Sequence, residues 1–171
     1  MSAWSRTVWA LPILIACGGG TDDGPSASEP ASPAAERVVD LSPWDVPLEV
    51  NAPGTLADSL QVEWNEEFGQ LEVRGGEHFS LVVVEAPGDI ARLKADLERD
   101  LLRTHEVLAE EPGLLIYRSA FPDDPDLVFV HGYRELRVGD RSFVVETHPQ
   151  GHFNEAEVEV MVRAVVPREG A

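Results

Sequence analysis

The 171-residue chain has one cysteine, Cys17. A lone thiol closes no intramolecular bridge, so no disulfide framework supports the fold and its stability must come from a hydrophobic core. Positive charge is scarce as well: 13 Lys and Arg stand against 31 Asp and Glu, a formal net charge of −18. So acidic a surface repels phosphate backbones and excludes nucleic acid as a partner. The apolar run from Val8 to Ala16 is about half the roughly 20 residues that a membrane-crossing helix needs, and Pro12 interrupts it. Signatures of catalysis are missing too. There is no Gly-x-Ser-x-Gly elbow, no HExxH pair, and no Gly-rich phosphate loop between a strand and a helix. Nothing in the chain calls for a cofactor.

What is present begins at the first residues. Arg6 and the α-amino group supply a small positive start, the Val8–Ala16 run follows, and small residues flank Cys17. These are the three parts of an export signal. Leu14-Ile15-Ala16-Cys17 resembles the bacterial lipobox. That resemblance implies a signal peptide over residues 1–16, cleavage before Cys17, and acylation of its thiol and freed amine. By the same resemblance, Gly18 in place of an aspartate after the cysteine implies the outer membrane of a cell envelope. Removal of residues 1–16 takes away Arg6 and no acid, which leaves 12 basic and 31 acidic residues and a net charge of −19. Such a chain is repelled by anionic headgroups, so the acyl chains would have to hold the membrane unaided.

Residues 17–37 read as a tether. From Gly18 to Glu36 the composition is Gly, Pro, Ala, Ser, Thr and acids, with no large apolar side chain. Such a segment cannot bury enough surface to offset its ordering entropy. Apolar residues resume at Val38, and residues 38–171 have the size of a single domain.

Within the domain, Leu48–Val50 reads as a possible edge strand, and Leu60–Trp64 and Leu71–Arg74 alternate as half-buried strands. Asn65–Gly69 turns between the latter two, and Gly75-Gly76 leads into Phe79–Glu85. Asp89 caps a helix whose apolar face is Ile90, Leu93, Leu97, Leu101 and Leu108, ended by Pro112-Gly113. Leu114–Ser119 is a strand, Leu127–His131 and Tyr133–Val138 form one long strand or two with Gly132 a bulge, and Gly139-Asp140 is a hairpin turn into Ser142–His148. Asn154 caps a final helix to about Val166, its apolar positions Phe153, Val158, Met161, Ala164 and Val165. The expected fold is α+β, an antiparallel sheet of about six or seven strands packed with two helices, after a disordered tether. This element order, over roughly Leu48 to Val166, resembles the PsbP-like fold. Members of that fold serve mainly as binding or accessory proteins, so the resemblance implies a domain of that kind.

The residues able to carry chemistry are few. His148 and His152 are four apart, but Pro149 and Gly151 deny them a common helix face; His131 on a neighbouring strand would complete a three-ligand metal set. His78 and His105 are expected at a turn and on a helix surface. Asp123, Asp124 and Asp126 read as a polar turn without the spacing of a calcium loop. Ser80, Ser119 and Ser142 lie in strands without catalytic context, and Trp44 and Trp64 read as core aromatics. The leading expectation is a non-enzymatic envelope lipoprotein anchored through Cys17, an accessory or binding domain with an envelope protein as its candidate partner. The alternative is an envelope hydrolase, metal-dependent or otherwise, built on His131, His148 and His152.

Overall fold

The computed structural model describes residues 37–57 and 59–170. The segment read as an export signal, Cys17 and the segment read as a tether lie outside these residues, except Arg37, which belongs to the first strand. The strands are β1 (Arg37–Asp40), β2 (Leu48–Ala52), β3 (Gln61–Asn65), β4 (Gln70–Arg74), β5 (Ser80–Glu85), β6 (Thr104–Glu111), β7 (Leu114–Phe121), β8 (Asp124–Val138), β9 (Arg141–Thr147) and β10 (Val165–Pro167). The helices are α2 (Ile90–Arg99) and α3 (Glu155–Ala164), with a single turn α1 at Gly54–Ala57. Two antiparallel sheets result: a main sheet in the order β3-β4-β5-β9-β8-β7-β6 and a small sheet β1-β2-β10. The α+β class and the seven strands of the main sheet are as expected. Among the described residues no helix is long and apolar enough to cross a membrane.

The core fills the space between one face of the main sheet, α3 and the small sheet. Leu71, Val73, Leu81, Val83, Phe143 and Val145 come from the sheet; Val158, Met161 and Val162 from α3; Leu48 and Val50 from β2. All of them are at most 1% exposed. Complete burial of each such side chain contributes about 1.5–3 kcal/mol. A capping box starts α3: Asn154 Oδ1 accepts from Glu157 N, and the Glu157 carboxylate accepts from Asn154 N. The far end is closed by Arg134 of β8, whose guanidinium donates to the carbonyls of Val162 and Val165 at 2.8 Å each. Helix α3 stops at Ala164, short of the expected Val166, because Val165–Pro167 pairs with β2 instead.

Four other expectations are corrected. The helix that opens at Asp89 ends at Arg99, not near Leu108. Asp100 Oδ1 accepts from the backbone N–H of Leu102 and Arg103, a local turn that competes with the helix. Leu101 is consequently 95% exposed although it keeps helical spacing, and Thr104–Glu111 becomes the edge strand β6. Pro112-Gly113, read as a helix stop, is the two-residue turn of the β6–β7 hairpin, with Gly113 at φ 74°. Gly132 is no bulge, since β8 keeps register with β7 through it. A Cβ there would lie 2.5 Å from Val162 Cγ1 and 2.8 Å from Val158 Cγ1, so its lack of a side chain is what lets α3 sit on the sheet. Irregularities lie elsewhere: on β6 between Val107 and Ala109, leaving Leu108 unpaired with β7, and where β7 meets the start of β8, between Ala120 and Phe121. Leu48–Val50, expected at an edge, belongs to the central strand of the small sheet.

Candidate functional site

The alternation of side chains along a strand sends Gly132 and Arg134 toward α3, and therefore Phe129, His131, Tyr133 and Glu135 to the opposite face. Helix α2 lies over part of that second face. The N–H groups at its start donate to it, Asp89 N to Tyr133 Oη at 3.1 Å and Ile90 N to Glu135 Oε1 at 2.9 Å. Lys94 reaches Glu110 of β6 at 2.7 Å. None of the α2 side chains is fully buried, and an open cleft of about 440 Å³ lies between α2 and β6, lined by Lys94, Leu97, Asp100, Arg103, His105 and Val107 among others.

Beyond α2, the same face carries a run of five rings. His105 meets Tyr117 edge-on with centroids 6.2 Å apart, Tyr117 lies 5.0 Å from His131, His131 stacks 6.3 Å from Phe129, and Phe129 lies 4.7 Å from His152. The register explains the run. His105, Ser119 and Phe129 are cross-strand neighbours on β6, β7 and β8, and Tyr117 and His131 are partners in the next row. Strand β9 pairs with β8 only from Tyr133 onward, so Phe129 and His131 lie past its end, where the loop before α3 brings in His152.

The three histidines considered for a metal do not converge. His131 and His152 flank Phe129 from either side. His148, just past the end of β9, donates its backbone N–H to Ser80 O at 2.9 Å, and its Nδ1 accepts from Gln150 N at 3.3 Å. Among the described residues no group of three or more His, Cys, Asp or Glu is disposed to hold a metal ion. His78 sits at the turn expected of it and pairs with Glu157 at 2.9 Å. Asp123, Asp124 and Asp126 are exposed around the β7–β8 turn. Trp44 packs against the core, whereas Trp64, on the edge strand β3, is 45% exposed.

His105 is the residue that the sequence misplaces most. It belongs to β6, not to a helix surface, and its side chain is only 8% exposed. Nε2 lies 3.1 Å from Asp100 Oδ2 and Nδ1 lies 2.9 Å from Ser119 Oγ. Backbone and side-chain donors, first of all Leu102 N, hold the Asp100 carboxyl far below the usual carboxylate range. Asp100 therefore only accepts, which puts the Nε2 proton on His105. In neutral imidazole Nδ1 is then the acceptor of the Ser119 hydroxyl. That is the polarity of a nucleophile-activating chain, but Ser119 is 1% exposed in the middle of β7, out of reach of a substrate. The chain instead ties the α2–β6 connection to the sheet. The 104–111 segment reads as helix, so the cross-strand pairing of His105 with Ser119 had no signal in the sequence.

The electrostatics of the face are uneven. Burial first, and then the nearby Arg103 and His105, lower the His131 pKa, so the ring is neutral at pH 7. Burial, with Glu146 second, pushes the Tyr117 hydroxyl up to about 12. Glu146, directly across from Tyr133, is raised by burial alone. Period-two spacing was the available signal for this face: Leu115, Tyr117 and Ser119 on one strand, Phe129, His131 and Tyr133 on the next. Compared with known protein families, curated proteins and solved structures, the chain matches none.

Proposed function

We propose that the chain is a lipid-anchored protein of the cell envelope, most naturally of the outer membrane, whose domain acts as a non-enzymatic binding or accessory module. Anchorage rests on Leu14-Ile15-Ala16-Cys17 at the end of an apolar run. Binding rests on one observation: the ladder from His105 through Tyr117, His131 and Phe129 to His152, half-buried for most of its length and exposed at His152. Rings held rigidly on a sheet present large contact area at low entropic cost, which suits recognition better than core packing. The ladder's partner would be an envelope protein or a ligand presented there.

Two measurements test the two halves. Cys17→Ser should abolish incorporation of labelled palmitate and release the protein from washed membranes; a variant that stays membrane-bound would remove the anchor from the proposal. A photo-crosslinking residue at position 131 should capture a discrete adduct in intact cells, and one at Arg92, on the exposed side of α2, should not. Equal capture from both positions, or none from 131, would rule out this face.

A further inference from the structure

Leu101 and Leu102, on the connection between α2 and β6, are 95% and 76% exposed, and among the described residues no other large apolar side chain is as exposed. The turn that holds them outward is firmly built. Asp100 Oδ1 accepts from Leu102 N at 2.8 Å and from Arg103 N at 3.2 Å, while Asp100 Oδ2 accepts from Arg103 Nε at 2.8 Å and His105 Nε2 at 3.1 Å. His105 in turn bonds to Ser119 of β7. The backbone N–H groups of Leu102 and Arg103 are therefore satisfied within the chain, as an apolar surrounding requires of any backbone that approaches it. Neither leucine lines the adjacent cleft between α2 and β6. Two consecutive leucines held in water gain the domain nothing by themselves, and an apolar partner would return the free energy of their burial.

The charge around the pair separates a lipid surface from other partners. Between Ile90 and Arg103 stand Arg92, Lys94, Arg99 and Arg103 against Asp96, Glu98 and Asp100, a local charge of +1 in a chain of net charge −18. Arg92 and Arg99 extend into solvent and meet Asp96 only at 3.8 and 3.6 Å. Phe68, the next most exposed apolar side chain, has the opposite setting. It follows Glu66 and Glu67 on the β3–β4 turn, and its approach to anionic headgroups would carry those acids with it. We infer that the α2–β6 corner rests on a phospholipid surface, its two leucines entering the apolar edge of the headgroup layer and Arg99 and Arg103 lying at the level of the phosphates. A fluid surface accommodates a protruding side chain without a matching pocket, which suits leucines so fully exposed. The inference rests on the reading of the chain as membrane-anchored, because two leucines hold a bilayer only weakly and act once an anchor has brought the domain to it.

The test places an apolar diazirine-bearing residue at position 101, 102 or 66 of the otherwise unaltered full chain, in vesicles of phosphatidylethanolamine and phosphatidylglycerol. After illumination, mass spectrometry should find phospholipid adducts from 101 and 102 at about ten times the yield from 66. Leu101→Asp with the probe at 102 should cut the lipid adduct about tenfold and leave the circular dichroism spectrum unchanged, since the side chain it replaces is exposed. Arg99→Glu should lower the yield as well, and more so in vesicles richer in phosphatidylglycerol. In intact cells the probe at 101 should again capture phospholipid. The inference falls if positions 101 and 66 give equal yields, if Leu101→Asp changes nothing, or if the adduct captured in cells is a discrete protein, which would assign the leucines to a protein partner. Palmitate incorporation at Cys17 with no lipid adduct from 101 would leave the anchor standing and remove only this contact. Lipid adducts from 101 on a chain that incorporates no palmitate would keep the contact and remove the anchor.

Discussion

Gly132→Ala is the substitution whose effect follows most directly from geometry. The Gly132 φ is not in the left-handed region, so alanine adopts the backbone without strain and the cost is purely steric. The new methyl would sit 2.5 Å from Val162 Cγ1 and 2.8 Å from Val158 Cγ1, where ordinary contact begins near 3.4 Å. Both valines are 0% exposed on α3, and a valine in a helix has one strongly preferred rotamer. Neither can swing aside, so the helix itself must lift from β8. Overpacking of this kind costs about 1–3 kcal/mol. Loss of the glycine's freedom in the unfolded chain offsets about 0.4–1 kcal/mol of that. The net expectation is destabilisation of about 1–2 kcal/mol, a fall in melting temperature of roughly 4–8 °C for a domain of this size. Urea denaturation and thermal melting followed by circular dichroism would measure it. Val162→Ala combined with Gly132→Ala should destabilise less than the two single changes added together, because the new methyl enters space the valine has left. A Gly132→Ala chain as stable as the parent, or strictly additive changes, would refute the close-approach argument.

Two further outcomes follow from side chains on β9 and β8. Burial raises Glu146 above the ordinary 4.5, so the folded chain keeps a proton that the unfolded chain releases, and stability falls as pH rises from about 4.5 through the folded value. Glu146→Gln should therefore show a higher urea midpoint than the parent at pH 7, with the two converging at pH 4; equal midpoints at pH 7 would count against a cost of ionising this unpaired carboxylate in the folded chain. Arg134→Met leaves the Val162 and Val165 carbonyls without their donor, a loss of about 1–3 kcal/mol. Hydrogen exchange should then quicken first at the Val165 and Val166 amides of β10, and unchanged exchange there would show that the arginine does not close α3.

Local chemistry made much of this fold readable. Asp89 and Asn154 cap their helices as expected, Gly139-Asp140 turns between β8 and β9 with Gly139 at φ 61°, and the alternation of β3 and β4 survives as strands. What stayed hidden depends on residues distant in sequence. Leu101 and Leu108 keep helical spacing with Leu93 and Leu97, yet pairing with β7 and the Asp100 turn override it. Strands β1 and β10 are short and acquire their identity only against β2. The candidate face follows the same division. Tyr117 and Ser119 share a face by their spacing on β7, as Phe129 and His131 do on β8, whereas the two pairs meet each other, and are joined by His105 and Glu146, through a register that only the assembled sheet defines.

The outer strands of the main sheet bear on how copies of the protein behave when crowded. With the anchor we propose, two-dimensional confinement would raise encounter rates between neighbours, and an open strand edge is a template for chain-to-chain pairing. Strand β6 breaks its own regularity at Leu108 and carries Glu106, Glu110 and Glu111 along its length. The opposite edge, β3, is five residues long and places Glu63 between Val62 and Trp64. Both borders are poor templates, so the sheet can lie close to its own copies without zipping onto them and keep its ring-bearing face free.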